Sequence, residues 1–176
     1  MKILAITLSL VISLTVFSQN NNNHLNLNSS KLAVDGYDLT TYFTKNKAVE
    51  GSKKYTTTYK GAVYRFVSSE NKNLFDKNPT YYLPQYGGWC AYAMGEKNEE
   101  VGINPESFLI TNNQLFLFYK TYFNDTKEKW NKDPKNLKSK ADINWKNRTK
   151  KNTNHEEITF TYARHRCIYI IAIPIL

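Results

Sequence analysis

Apolar positions recur along the middle of the chain at two spacings, and the switches between them outline a small domain. Tyr55 to Tyr59 and Ala62 to Val67 alternate β-formers around Lys60-Gly61, which predicts a β-hairpin. Ser68-Ser69-Glu70 then supplies a hydroxyl cap and a first-turn acid, predicting a helix that buries Leu74 and Phe75 and stops by Asn78, ahead of Pro79. Tyr81 to Tyr86 is an aromatic stretch broken by Pro84, and Gly87-Gly88 allows a tight bend or a close backbone approach. Trp89 to Met94 reads as a buried strand, and Ser107 to Ile110 with Leu115 to Tyr119 reads as a second hairpin turning through Asn112-Asn113. A helix from Asn124 or Asp125 to Lys132 carries Trp130. Another opens at Asp133-Pro134 and sets Leu137, Ala141 and Trp145 on one face. Leu39 to Phe43 is too short for periodicity to separate helix from strand. No internal repeat is visible, and the order of elements predicts a small single domain of the α+β class.

The two ends of the chain read differently. Lys2, the apolar run Ile3 to Phe17 and small side chains before Gln19 have the layout of a secretory signal peptide over 1–18, cleaved near Ser18. The run falls short of the roughly 20 residues that span a bilayer, so no transmembrane span is expected after cleavage. Residues 19–31 form a polar lead expected to lack fixed structure, and 32–146 form the domain. Residues 147–176 are an atypical extension with His165, Cys167 and an apolar run from Ile168 to Leu176. The protein is therefore expected to be exported, to a periplasm or the extracellular space.

The net charge of +9 is unevenly spread, with 13 basic against 6 acidic residues from Lys120 onward and near-neutrality from Gln19 to Tyr119. Lys scattered among Asn, Asp and Glu reads as a solvated helix face, and export places nucleic acid out of reach. The 13 Tyr, 9 Phe and 3 Trp predict aromatic rings just beneath the surface, where phenol hydroxyls find water or a partner.

Specific residues then carry a resemblance. Gly36-Tyr37-Asp38, Tyr59-Lys60-Gly61, Tyr64-Arg65-Phe66 and above all Pro84 to Ala93 (PQYGGWCAYA) resemble the exported branch of the YHS-domain family, over roughly Leu32 to Lys146. The resemblance implies a compact domain often linked to metal handling and commonly without an assigned reaction. The metal-linked branch carries two cysteines after its hairpin, where this chain has Val67 and Asn71, so no thiolate metal cluster is expected and the cofactor is unknown. No P-loop, dinucleotide fingerprint or nucleophile elbow is present.

The residues left to carry chemistry are few. Cys90 is a lone candidate for a metal ligand, redox thiol or nucleophile, against the plain reading of a small buried residue. Asp38 is a candidate acid or hard-metal ligand, against a turn-capping carboxylate. Tyr86, Trp89 and Tyr92 are candidates to line a ligand pocket, against simple ring packing. No catalytic residue is assigned. The expected function is a non-enzymatic module binding a small molecule, a metal-related ligand or an envelope component. The alternatives are an enzyme using Cys90 or Asp38 in a pocket, and an envelope-associated basic binding module.

Overall fold

The computed structural model describes residues 24–150, and the fold is a small α+β domain of six helices and two antiparallel hairpins among those residues. In chain order the elements are α1 (Leu39–Lys45), β1 (Ser52–Tyr59), β2 (Ala62–Phe66), α2 (Ser69–Lys77), α3 (Pro79–Tyr82), α4 (Ala91–Lys97), β3 (Asn104–Thr111), β4 (Gln114–Phe118), α5 (Thr126–Trp130) and α6 (134–150). Short 3-10 turns at Val34–Gly36 and Gln85–Gly88 precede α1 and α4. The signal segment, its cleavage point and the extension beyond residue 150, with His165 and Cys167, lie outside the described residues. No helix among the described residues is long and apolar enough to cross a membrane.

Strand β4 organises the packing because both of its faces are buried. Successive side chains of a strand point to opposite faces. Leu115 and Leu117 therefore enter one core with Leu39, Tyr42, Tyr64, Phe66 and Phe75. Phe116 and Phe118 enter a second core with Tyr86, Met94, Trp130, Leu137 and Ala141. The Tyr42 hydroxyl donates to the Pro105 carbonyl at 2.9 Å, tying α1 to β3 across the boundary. Burial pushes the Tyr42 and Tyr86 phenols well above the usual range, and it pushes Tyr64 up to about 12.

The structure contains an internal repeat that the sequence reading missed. Residues 32–66 and 84–118 follow the same course at a constant offset of 52 residues, the distance from Asp38 to Cys90. Leu32 bridges Val63 in parallel, and Pro84 bridges Leu115 in the same way. Asp38 N–H donates to Val49 O, and Cys90 N–H donates to Val101 O, both at 2.9 Å. Asn46 and Asn98 end α1 and α4 in the left-handed conformation. Both hairpins bulge at the same place, between Ser52 and Thr56 and between Asn104 and Phe108. Each hairpin is then covered by the helix that follows it, Phe75 packing on Tyr64 and Phe66, and Trp130 on Phe116 and Phe118.

Three further expectations are corrected. Trp89 to Met94 is not a strand, since only Cys90 makes an isolated bridge, to Leu117, and the chain then coils into α4. A short apolar run fits a buried helix as well as a strand, and tertiary packing decides. On α2, Phe75 is buried but Leu74 is 40% exposed, because a nine-residue helix capped at one corner of the domain presents a narrow inward stripe. Residues 24–31, expected as an unstructured lead, are docked on the domain. Asn26 N–H donates to Gly87 O at 2.9 Å, its side-chain amide donates to Gly88 O at 3.0 Å, and Leu27 bridges Ala33.

Gly87 makes that docking possible. Its φ is +63°, and a Cβ there would lie 2.6 Å from His24 O and 2.7 Å from the Trp145 ring. Gly87→Ala is expected to cost on the order of 2 kcal/mol, combining left-handed strain with displacement of the 24–27 strap. Gly102, with nothing within 4 Å of its Cβ position, should accept Ala within about 0.5 kcal/mol. Urea denaturation of the two variants measures the difference, and equal midpoints would contradict it.

Candidate functional site

Asp38 is fully buried and its carboxylate is saturated with donors. Oδ1 accepts from the Thr40 N–H at 2.8 Å and the Thr40 hydroxyl at 2.7 Å, which caps the first turn of α1. Oδ2 accepts from the Val67 N–H at 2.9 Å and the Asn71 side-chain amide at 2.7 Å. A carboxylate is an acceptor-only group, and these four donors leave it structurally committed. It fastens the start of α1, the end of β2 and the first turn of α2 to one point.

Cys90 occupies the equivalent position in the second repeat and is also fully buried. Its sulfur lies 3.3 Å from the Thr126 Oγ1. The single Thr126 hydroxyl hydrogen is donated to the Tyr119 carbonyl at 2.9 Å, so the thiol must be the donor to Oγ1. Cys90 is thus a buried free cysteine whose sulfur is engaged by Thr126. A nucleophile or soft metal ligand needs an open approach, and full burial withholds it.

The three aromatic candidates point to separate partners. Tyr86, with φ +55°, donates its hydroxyl to Asp142 Oδ1 at 2.9 Å and packs against Phe116 and Trp145. Trp89 donates its indole N–H to the His24 carbonyl at 2.7 Å. Tyr92, half-buried on α4, lies beneath the Lys129 ammonium, 6.0 Å from the ring centroid. Tyr86 belongs to the second core and Trp89 and Tyr92 pack against that same core, while Asp38 is committed to Thr40, Val67 and Asn71 in the first half. Among the described residues no group of three His, Cys, Asp or Glu is placed to hold a metal ion.

A cavity of about 270 Å³ lies elsewhere, between the 24–27 strap, the first hairpin and α6. Its walls are mainly Leu25, Leu27, Ala33, Val34, Tyr64 and Trp145, with Asn26 and Lys60 as polar contributors. The strap that roofs it is pinned by Asn26 to Gly87 and Gly88, and by His24 Nδ1 to Glu100 Oε1 at 3.1 Å. Val34 sits in the wall with φ +48°, a strained conformation for a β-branched residue. Sequence reasoning passed over this site because its roof lies in an Asn-rich stretch. The available signal was the alternation of Leu25 and Leu27 with polar neighbours, which puts both leucines on one face.

The chain matches no family model, no curated protein and no solved structure.

The thiol geometry has a direct test. In a Cys167→Ser background, an aromatic disulfide reagent is expected to label Cys90 only as fast as the protein unfolds, with full labelling in denaturant. Labelling of the native protein at the rate of a free thiol would contradict the burial and the hydrogen bond to Thr126.

Proposed function

We propose that the protein is an exported, YHS-like binding module without catalytic activity, and that it takes a small, mainly apolar ligand into the cavity beneath the 24–27 strap. The observation that carries this reading is the cavity itself: preformed, lined by apolar and aromatic side chains, and close to the lower end of the size range of small-molecule sites. Lys60 at its margin favours a ligand with an anionic end, and the flat Trp145 and Tyr64 side chains favour an aromatic or planar body.

The contrast with the alternative residues supports a binding role over an enzymatic one. Asp38 and Cys90 spend their polar atoms on Thr40, Val67, Asn71 and Thr126. In the proposed family relationship, Val67 and Asn71 stand where the metal-linked relatives have cysteines. Both residues instead donate to Asp38 Oδ2, which makes this corner a hydrogen-bonded clasp. Loss of the metal and retention of the scaffold fit together on this view.

Isothermal titration with 2-naphthoate and with its neutral analogue 2-naphthol tests the proposal. Saturable binding of one molecule per chain is expected, tighter for the anion. Leu27→Trp, which fills the cavity from the strap side, should weaken binding by about tenfold or more while leaving the melting temperature near that of the parent. Absence of saturable binding, or binding indifferent to Leu27→Trp, would remove the cavity as the functional site.

A further inference from the structure

The loop between β4 and α5 places two large aromatic side chains almost wholly in solvent. Tyr122 is 93% exposed and Phe123 is 94% exposed, whereas the other exposed large apolar residues among the described residues range from 36% to 57%. The loop is not loose at its base. Thr121 N–H donates to Asn124 O at 2.8 Å, Lys120 bridges Asp125, and Tyr119 O accepts from both the Thr126 N–H and its hydroxyl. Tyr122 and Phe123 therefore occupy the tip of a braced turn, positions where Gly, Asn or Asp would ordinarily stand. Their rings pack edge to face, with centroids 4.7 Å apart, and do not fold back onto the domain.

The segment that carries the tip and follows it is basic. Residues 120–150 contain ten Lys and Arg against four Asp and Glu. Of the nearest charges, Asp125 is engaged by Lys120 at 3.6 Å and by the Ser107 hydroxyl at 2.7 Å, so on α5 and the turn after it Lys127, Lys129 and Lys132 outnumber Glu128 and Asp133. Amphipathic aromatic rings favour the headgroup layer of a bilayer, and nearby lysines add attraction to anionic lipid.

We propose that the β4–α5 turn is a membrane-contacting tip, which inserts Tyr122 and Phe123 into the interfacial layer of an anionic bilayer while the α5 lysines sit on its headgroups. The occupant is a lipid surface because two adjacent rings on a narrow turn make a wedge, too small for a protein interface core, and because the charge around them matches anionic headgroups. This surface is separate from the cavity and stands whether or not the cavity binds a ligand.

Flotation of the full mature chain with vesicles of phosphatidylglycerol and phosphatidylcholine, and with phosphatidylcholine alone, tests the tip. Binding is expected to favour the anionic vesicles and to weaken with added salt. The double variant Tyr122→Ser/Phe123→Ser should reduce binding by about tenfold or more with no change in melting temperature, since both side chains touch little besides each other. Lys127→Gln/Lys132→Gln should narrow the preference for anionic over neutral vesicles. Vesicle binding that survives the aromatic double variant would assign the contact to another segment and overturn the proposal. Failure to bind either vesicle, or equal binding to both, would overturn it as well.

Discussion

The Asp38 carboxylate is the point on which the first half of the fold depends. It lies out of contact with water and accepts four hydrogen bonds from three different elements. Two of those bonds start α1, and the other two hold the exit of β2 and the first turn of α2. Phe75 on α2 then reaches Tyr64 and Phe66. Burying a carboxylate is costly unless its lone pairs are filled, and here both oxygens are filled. Removing the acceptor would leave the Val67 N–H and the Asn71 amide without their partner inside the protein.

The repeat shows that the backbone course does not require a carboxylate. Cys90 takes the place of Asp38 in the second half, with the same backbone bond to the matching valine carbonyl, while its thiol turns to Thr126. What the halves share is set by the main chain: Gly36 and Gly88 at φ near +85°, Asn46 and Asn98 as left-handed helix ends, and Phe66 and Phe118 closing the hairpins. What differs is the cover. In the second half α6 lays Leu137, Ala141 and Trp145 onto Tyr86 and Phe116. In the first half the matching positions, Val34 and Tyr64, border the cavity beneath the 24–27 strap. The cavity is the seat that the first half leaves partly unfilled.

Elements with a local cause were legible in the sequence. Both hairpins, the Ser68 cap of α2, the Asp125 cap of α5 and the one-sided stripe of α6 each follow from residues within a few positions of one another. Elements with a distant cause were not. The helical form of α4 is imposed by packing against β4 and α6, and nothing in Trp89 to Met94 announces it. The repeat was hidden because matched core positions hold different residues, such as Leu39 with Ala91, Tyr42 with Met94 and Tyr64 with Phe116. Close packing tolerates such exchanges when neighbouring volumes compensate. The candidate residues Asp38 and Cys90 were singled out by their chemistry, whereas their structural employment depends on Asn71 and Thr126, which are remote in sequence.

Asp38 separates the two roles most directly, because a functional carboxylate and a structural one respond to removal in opposite directions. Residues kept for ligand or catalytic work are often stabilised when replaced, while a saturated buried acceptor is not. Chemical denaturation of Asp38→Ala, alongside naphthoate titration of the same protein at a temperature where it remains folded, is the decisive measurement. The account predicts a loss of about 3 kcal/mol or more in stability, with ligand affinity in the cavity retained. An Asp38→Ala protein of unchanged or higher stability that no longer binds would contradict it, and would return the carboxylate to the functional site.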